Sequence, residues 1–187
     1  MLLAIDIGNS NISVGLFDEK RDLKFLSSID TDSRKTADQI SIDLMNIFSL
    51  YRYDLRDVSG AIFSSVVPPI NFMMAKALTR LLGKPPMIVG PGVKTGLNIR
   101  MEIHNQLGAD LVAGAVAALD KYPTPIIMID MGTATTLSYL GESTYKGCVI
   151  IPGVRIAVEA LSGRAAELPH ISLEAVSYTH LTLPTIR

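Results

Sequence analysis

The chain has 187 residues, 48% of them hydrophobic and 19% charged, enough for one full domain and part of another, and its net charge of -1 offers no basic field to a nucleic-acid backbone. Its one cysteine, Cys148, excludes an intrachain disulfide framework and suits a reducing compartment. The opening MLLAIDIGN has no cationic lead and meets Asp6 too early for a signal peptide, and no apolar run approaches the ~20 residues of a membrane span. A cytoplasmic protein without nucleic-acid or membrane partners is therefore expected.

In chain order, residues 2–7 (LLAIDI) read as a buried strand, GNSN as a turn, and residues 12–17 as the partner strand. A third strand is expected at 23–30. Ile40, Leu44, Ile47 and Phe48 recur at helical spacing and predict a helix from about Ala37 to Tyr51. Residues 58–67 read as a strand stopped by Pro68 and Pro69, with a helix from Asn71 to Leu82 closed by Gly83. A short strand at 87–89 leads into the Gly-rich segment GPGVKTG. Lys94 and Arg100 flank a strand-like stretch, 96–99, and a helix is expected from Ala109 to Leu119. At Pro125 the pattern restarts. IIMID is a strand, MGTATT a turn, 135–140 and 145–151 further strands, and a helix begins near Val154.

That restart is visible in the letters. IDIGNSN at 5–11 aligns without a gap with IDMGTAT at 129–135. Each is an apolar strand ending in Asp, then one apolar residue, Gly and small polar residues. A phosphate site needs backbone N–H groups that anionic oxygens can approach, small donors, and a carboxylate to hold Mg²⁺. Gly8 clears the approach, Asn9, Ser10 and Asn11 can donate, and Asp6 can hold the metal. Asp130, Gly132, Thr133, Thr135 and Thr136 repeat the recipe with hydroxyls. A buried strand seldom ends in an unpaired carboxylate, so two such turns point to one cleft between two like α/β domains. GPGVKTG lacks the order of a P-loop, and no Gly-x-Gly-x-x-Gly follows the first strand. Asp110 reads either as a helix N-terminal Asp or as a general base. His104, His170 and His180 show no zinc spacing. Met73, Met74 and Met101 read as fillers of core or pocket gaps.

AIDIGNSN (4–11), SSVVPP (64–69), GPGVKTGLNIR (90–100), GAD (108–110), IDMGTATT (129–136) and GCVIIPG (147–153) together resemble the type III pantothenate kinase family, over roughly residues 1–174. The resemblance implies a duplicated actin-like ATPase (ribonuclease H-like) α/β fold, with residues 1–120 as the first domain. It implies transfer of the ATP γ-phosphate to the primary hydroxyl of pantothenate, giving 4'-phosphopantothenate, the first step of coenzyme A biosynthesis. It implies that ATP with Mg²⁺ is held by Asp6, Ile7, Gly8, Asn9, Ser10, Asn11, Ile12 and Ser13, with Asp6 on Mg²⁺ and Thr133 on the phosphates. Asp130 would bind a monovalent cation, K⁺ or ammonium. Met101, Leu107, Gly108, Ala109 and Asp110 would border pantothenate, with Asp110 the base, in a homodimer. Met101 stands where the family usually has an aromatic residue, and Leu111 where it has Arg; both departures bear on the pantothenate contacts.

Two other readings carry distinct expectations: a nucleotide-binding regulator of the same fold without turnover, and another actin-like small-molecule kinase. Residues 121–174 are less than half of a second actin-like unit, so that domain is expected to be incomplete. The tail at 175–187, AVSYTHLTLPTIR, matches nothing in the family pattern and is read as non-native. On that reading the chain exposes apolar surface, tends to aggregate and turns over weakly.

Overall fold

The computed structural model describes residues 1–90, 93–100 and 107–164. Two mixed sheets carry the α/β fold. The first has the order β3-β2-β1-β4-β5, built from Leu2–Ile7 (β1), Asn11–Phe17 (β2), Leu23–Asp30 (β3), Gly60–Ser65 (β4) and Met87–Ile88 (β5). β1, β2 and β3 form an antiparallel meander, whereas β4 runs parallel to β1 and β5 parallel to β4.

Two helices cover one face of this sheet. The first, Ala37–Tyr51 (α1), starts where expected because Thr36 and Gln39 form a capping box: Thr36 Oγ1 accepts from the Gln39 N–H, and Gln39 Oε1 accepts from the Thr36 N–H at 2.9 Å. It ends at Arg52, which adopts φ 60°. Ile40, Leu44, Ile47 and Phe48 face inward, as their spacing predicts. The second helix, Pro68–Leu82 (α2), begins three residues before the expected Asn71, and β4 ends at Ser65 rather than 67. Pro68 and Pro69 do not separate strand from helix. They occupy its first turn, where a missing N–H costs nothing. Leu3, Ile5 and Ile7, with Ile12, Val14 and Leu16, meet Ile70, Met74 and Leu78 in one core.

The second sheet has the order β6-β9-β8-β7, from Asn98–Ile99 (β6), Ile126–Met131 (β7), Ala134–Gly141 (β8) and Thr144–Pro152 (β9). β7, β8 and β9 form a second antiparallel meander. β6 pairs parallel with β9, so residues 98–99 belong to the second sheet although they precede the restart at Pro125. The helix Ala109–Lys121 (α3) packs against both β4 and β7 and so lies between the sheets. The core here is small: Ala115, Leu140 and Tyr145, with Leu97, Ile99 and Leu119 around them. Val154–Arg164 (α4) follows β9. Among the described residues, the face bearing Ile127, Ile129 and Met131 is open to solvent, with these side chains 59–70% exposed. β7 is therefore not the buried strand expected from its composition. The tail expectation falls outside the described residues.

Candidate active site

The two Asp-x-Gly turns are built on the same plan. In the first, Asp6 pairs with Ser13 across the hairpin and the Gly8 N–H donates to the Asn11 carbonyl at 3.0 Å. In the second, Asp130 pairs with Thr136 and the Gly132 N–H donates to the Ala134 carbonyl at 3.0 Å. The second turn is one residue shorter. The ungapped match of 5–11 with 129–135 therefore slips after the glycine. In space, Asn11 corresponds to Ala134 and Ser10 to Thr133. Those two corresponding residues touch, since Ser10 Oγ and Thr133 Oγ1 share a hydrogen bond of 3.0 Å. The turns meet tip to tip, each related to the other as one half of a rough two-fold.

Between them lies a cleft of about 700 Å³. Asp6, Gly8, Asn9, Ser10, Asn11 and Ser13 line it from the first turn, as expected of residues that would hold phosphates. Ile7 and Ile12 do not reach it. Their side chains are buried in the α1/α2 core, so only their backbone is available to a nucleotide. The first turn is braced from below: Thr31 Oγ1 donates to the Gly8 carbonyl at 2.7 Å, and the Thr31 N–H to the Ser10 carbonyl at 3.0 Å. From the second turn come Asp130, Gly132, Thr133 and Thr136. Asp6 and Asp130 are both exposed at this cleft; Asp6 ends a buried strand, as expected, whereas Asp130 ends the largely exposed β7. It is their convergence that marks the site.

Asp110 stands in the first turn of α3 and also lines the cleft. Burial pushes its carboxyl above the usual aspartate range, the Leu111 N–H donating to Oδ1 at 2.8 Å opposes this, and the negative charges of Asp6 and Asp130 raise it further. Asp110 thus senses both of the other carboxylates. Gly108 stands at the helix N-cap, where a side-chain acceptor is usually favoured. Its backbone is in a region open to any residue, with φ -57°. The reason for glycine is room: a Cβ there would run into Asp110 Oδ1.

Leu107, Gly108 and Ala109 open onto a second, larger cavity of about 1150 Å³, which Val66 separates from the phosphate cleft. Lys94, Asn71 and the segment 93–99 form its other wall. Met101 lies outside the described residues, and Leu111 is buried. Sequence reasoning missed several contributors. Gly153 is buried against the second turn, its N–H donating to the Thr133 carbonyl at 3.1 Å, and a Cβ on it would meet the carbonyls of Gly132 and Thr133. Arg155 lines the cleft from the first turn of α4 and brings the one cationic side chain among the cleft residues. The letters PGVR after β9 were the available signal.

Among the described residues, no three His, Cys, Asp or Glu gather closely enough to cage a metal ion. That arrangement suits Mg²⁺, which is commonly bound through one or two carboxylates and the phosphates themselves. Asp6 fits the role as an exposed carboxylate at the cleft. Beside Asp130, Thr136 Oγ1 is buried without a hydrogen-bond partner, an oxygen left over for a bound ion or phosphate.

Comparison with known proteins agrees with this geometry. A model of the type III pantothenate kinase family matches residues 2–185, further than the Glu174 to which the quoted segments carry the resemblance. A type III pantothenate kinase from Listeria monocytogenes serotype 4a is 42% identical over 174 residues, covering 92% of this chain and 67% of the relative. One from an Exiguobacterium species is 44% identical over 174 residues, covering 92% and 68%. Among solved structures, a Campylobacter jejuni protein named for the Baf family of transcriptional activators superposes with a TM-score of 0.55 at 19% identity, covering 94% of this chain and 68% of that one. A Sinorhizobium meliloti protein named as a 2-dehydro-3-deoxygalactonokinase does so with a TM-score of 0.50 at 12% identity, covering 90% and 57%. These two likenesses speak to the fold alone. The family match over nearly the whole chain and the relatives above 40% identity establish that this chain belongs to the type III pantothenate kinase family.

Proposed function

We propose that the chain transfers the γ-phosphoryl group of ATP to the primary hydroxyl of pantothenate, the first step of coenzyme A biosynthesis. The observation that carries this reading is the convergence of Asp6, Asp110 and Asp130 on a cleft framed by two glycine turns. Phosphoryl transfer asks a protein for little covalent work, so positioning and charge control dominate. The turn N–H groups and the Asn9, Ser10, Asn11 and Thr133 side chains would bind the polyphosphate, with Arg155 adding positive charge. Asp6 would hold Mg²⁺, and Asp130 with Thr136 a monovalent cation, K⁺ or ammonium. When bound, these ions supply positive charge against the phosphate oxygens. Pantothenate would occupy the cavity bordered by Leu107, Gly108 and Ala109, where its hydroxyl can approach Asp110. Asp110 accepts the hydroxyl proton, and its raised proton affinity makes it a stronger base than an ordinary aspartate.

The actin-like, duplicated fold is part of the same proposal, supported by the matching meanders and the paired turns. The homodimer and the cytoplasmic setting go with the family. Among the described residues no helix is long and apolar enough to cross a membrane. The test is ADP release with pantothenate, with a panel of sugars and with no acceptor, each in potassium, ammonium and sodium buffers. Release specific to pantothenate and dependent on potassium or ammonium is expected, with Asp130→Ala abolishing the cation dependence. Turnover on a sugar, or none above the acceptor-free rate, would overturn the assignment.

A further inference from the structure

Asp6 and Asp130 occupy equivalent places in their hairpins, yet their surroundings differ in one respect. β1 has a strand on each side, β2 and the parallel β4, and the register sets Asp6 beside Ser64. Ser64 is 6% exposed, and its Oγ donates to Asp6 Oδ1 at 2.5 Å. β7 ends its sheet, and among the described residues the Asp130 carboxylate accepts no hydrogen bond. One carboxylate is therefore locked and the other is free to turn.

We propose that Ser64 is a positioning residue that makes Asp6 a divalent-cation ligand of fixed geometry. The inference rests on the reading of Asp6 as the Mg²⁺ carboxylate. With Oδ1 engaged by the Ser64 hydroxyl, the rotation of the carboxylate is set and Oδ2 remains for the cleft. Mg²⁺ demands near-ideal octahedral geometry, so a pre-oriented single oxygen suits it; Ca²⁺ accepts irregular, variable coordination. Partners that orient a ligand commonly change metal affinity by about 10–100-fold when removed. The unanchored Asp130 suits a larger, less demanding monovalent ion. Ser64 is buried behind Asp6 and does not line the phosphate cleft. Its place at the head of SSVVPP, four residues before the Pro68 that opens α2, gives that segment a role beyond ending a strand.

The experiment is calorimetric titration of ATP into the full 187-residue chain across a series of Mg²⁺ concentrations, across a series of Ca²⁺ concentrations and with EDTA. The variants are Ser64→Ala, Ser64→Thr and Asp6→Asn, each checked by circular dichroism. Ser64→Ala is expected to raise the Mg²⁺ concentration needed for half-maximal ATP binding by about 10-fold or more. The Ca²⁺ requirement should change less, and metal-free binding should stay unchanged. Ser64→Thr, which keeps the hydroxyl, is expected to stay near the parent; if its added methyl disturbs the fold, Ser64→Cys is the second variant, with an intermediate effect from its weaker donor. An unchanged Mg²⁺ requirement in Ser64→Ala would overturn the proposal, as would equal losses with Mg²⁺, Ca²⁺ and EDTA. If Asp6→Asn also leaves the Mg²⁺ requirement intact, the reading of Asp6 itself fails. If Asp6→Asn abolishes it while Ser64→Ala does not, only the role of Ser64 fails.

Discussion

At the scale of single residues, Asp110 bears two opposed demands. Burial and the charges of Asp6 and Asp130 hold its carboxyl above the ordinary aspartate range, and the Leu111 N–H only partly compensates. A carboxyl whose folded-state pKa is raised binds its proton more tightly in the native state than in the unfolded one. Its favourable contribution is complete below the unfolded value, 3.8, and is lost as pH rises through the higher folded value. Relative to acid pH, the raised proton affinity of Asp110 therefore works against stability at neutral pH. Asp110→Asn is expected to melt above the parent at pH 7, by about 2–4 °C for each kcal/mol recovered, with the difference vanishing as pH falls toward 3.8. Scanning calorimetry across that pH range checks it. The acid limb of the parent's pH–rate profile should lie above the ordinary aspartate value. A variant that melts at or below the parent at pH 7 would show that Asp110 is not strained by ionisation.

At the scale of elements, the second turn is held by the start of α4. Gly153 leaves no space for a Cβ, because backbone carbonyls of Gly132 and Thr133 stand where it would go, and neither can swing aside as a side chain could. Gly153→Ala is expected to displace the turn and weaken ATP binding by roughly an order of magnitude, as misplaced positioning groups do. Gly163→Ala, on the same helix with open space around it, serves as the control and should be neutral or more stable by about 0.5–1 kcal/mol. Equal ATP affinity in Gly153→Ala and the control would show that α4 does not set the turn. Local chemistry made some of these elements legible in advance. α1 carries both a capping box and an inward stripe at helical spacing, so its bounds could be read directly. α2 was misread at its start because Pro both ends strands and opens helices, and only the following contacts decide which. The pairing of β6 with β9 spans some 46 residues and leaves no trace in local letters. The shorter second turn was hidden for the opposite reason: the letters align without a gap, whereas the hairpin registers do not. Asp6, Ser10, Asp130 and Thr133 could be read as lining one cleft because the Asp-x-Gly turn recurs in the letters, whereas Asp110 also fitted a helix N-terminal Asp. Ser64 and Arg155 were not, since each enters its place through strand register or helix placement.

At the scale of the whole molecule, the cleft exists because two sheets bring equivalent turns together, with α3 lodged between them. Ser10 and Thr133 join the halves directly, and Asp110 reaches the same space from α3. A polyphosphate seated there would be held from both sides, with the larger cavity beyond Val66 next to it. On the proposed reading binding and chemistry fall to different parts: the turns would grip ATP, and the first turn of α3 would handle the acceptor's proton. The most direct test separates the two by measuring ATP affinity calorimetrically and phosphoryl transfer to pantothenate by ADP release, for the parent and for Asp110→Asn. The account predicts ATP affinity close to the parent's and a turnover lower by a factor of about 10² or more. Near-normal turnover in Asp110→Asn would contradict it.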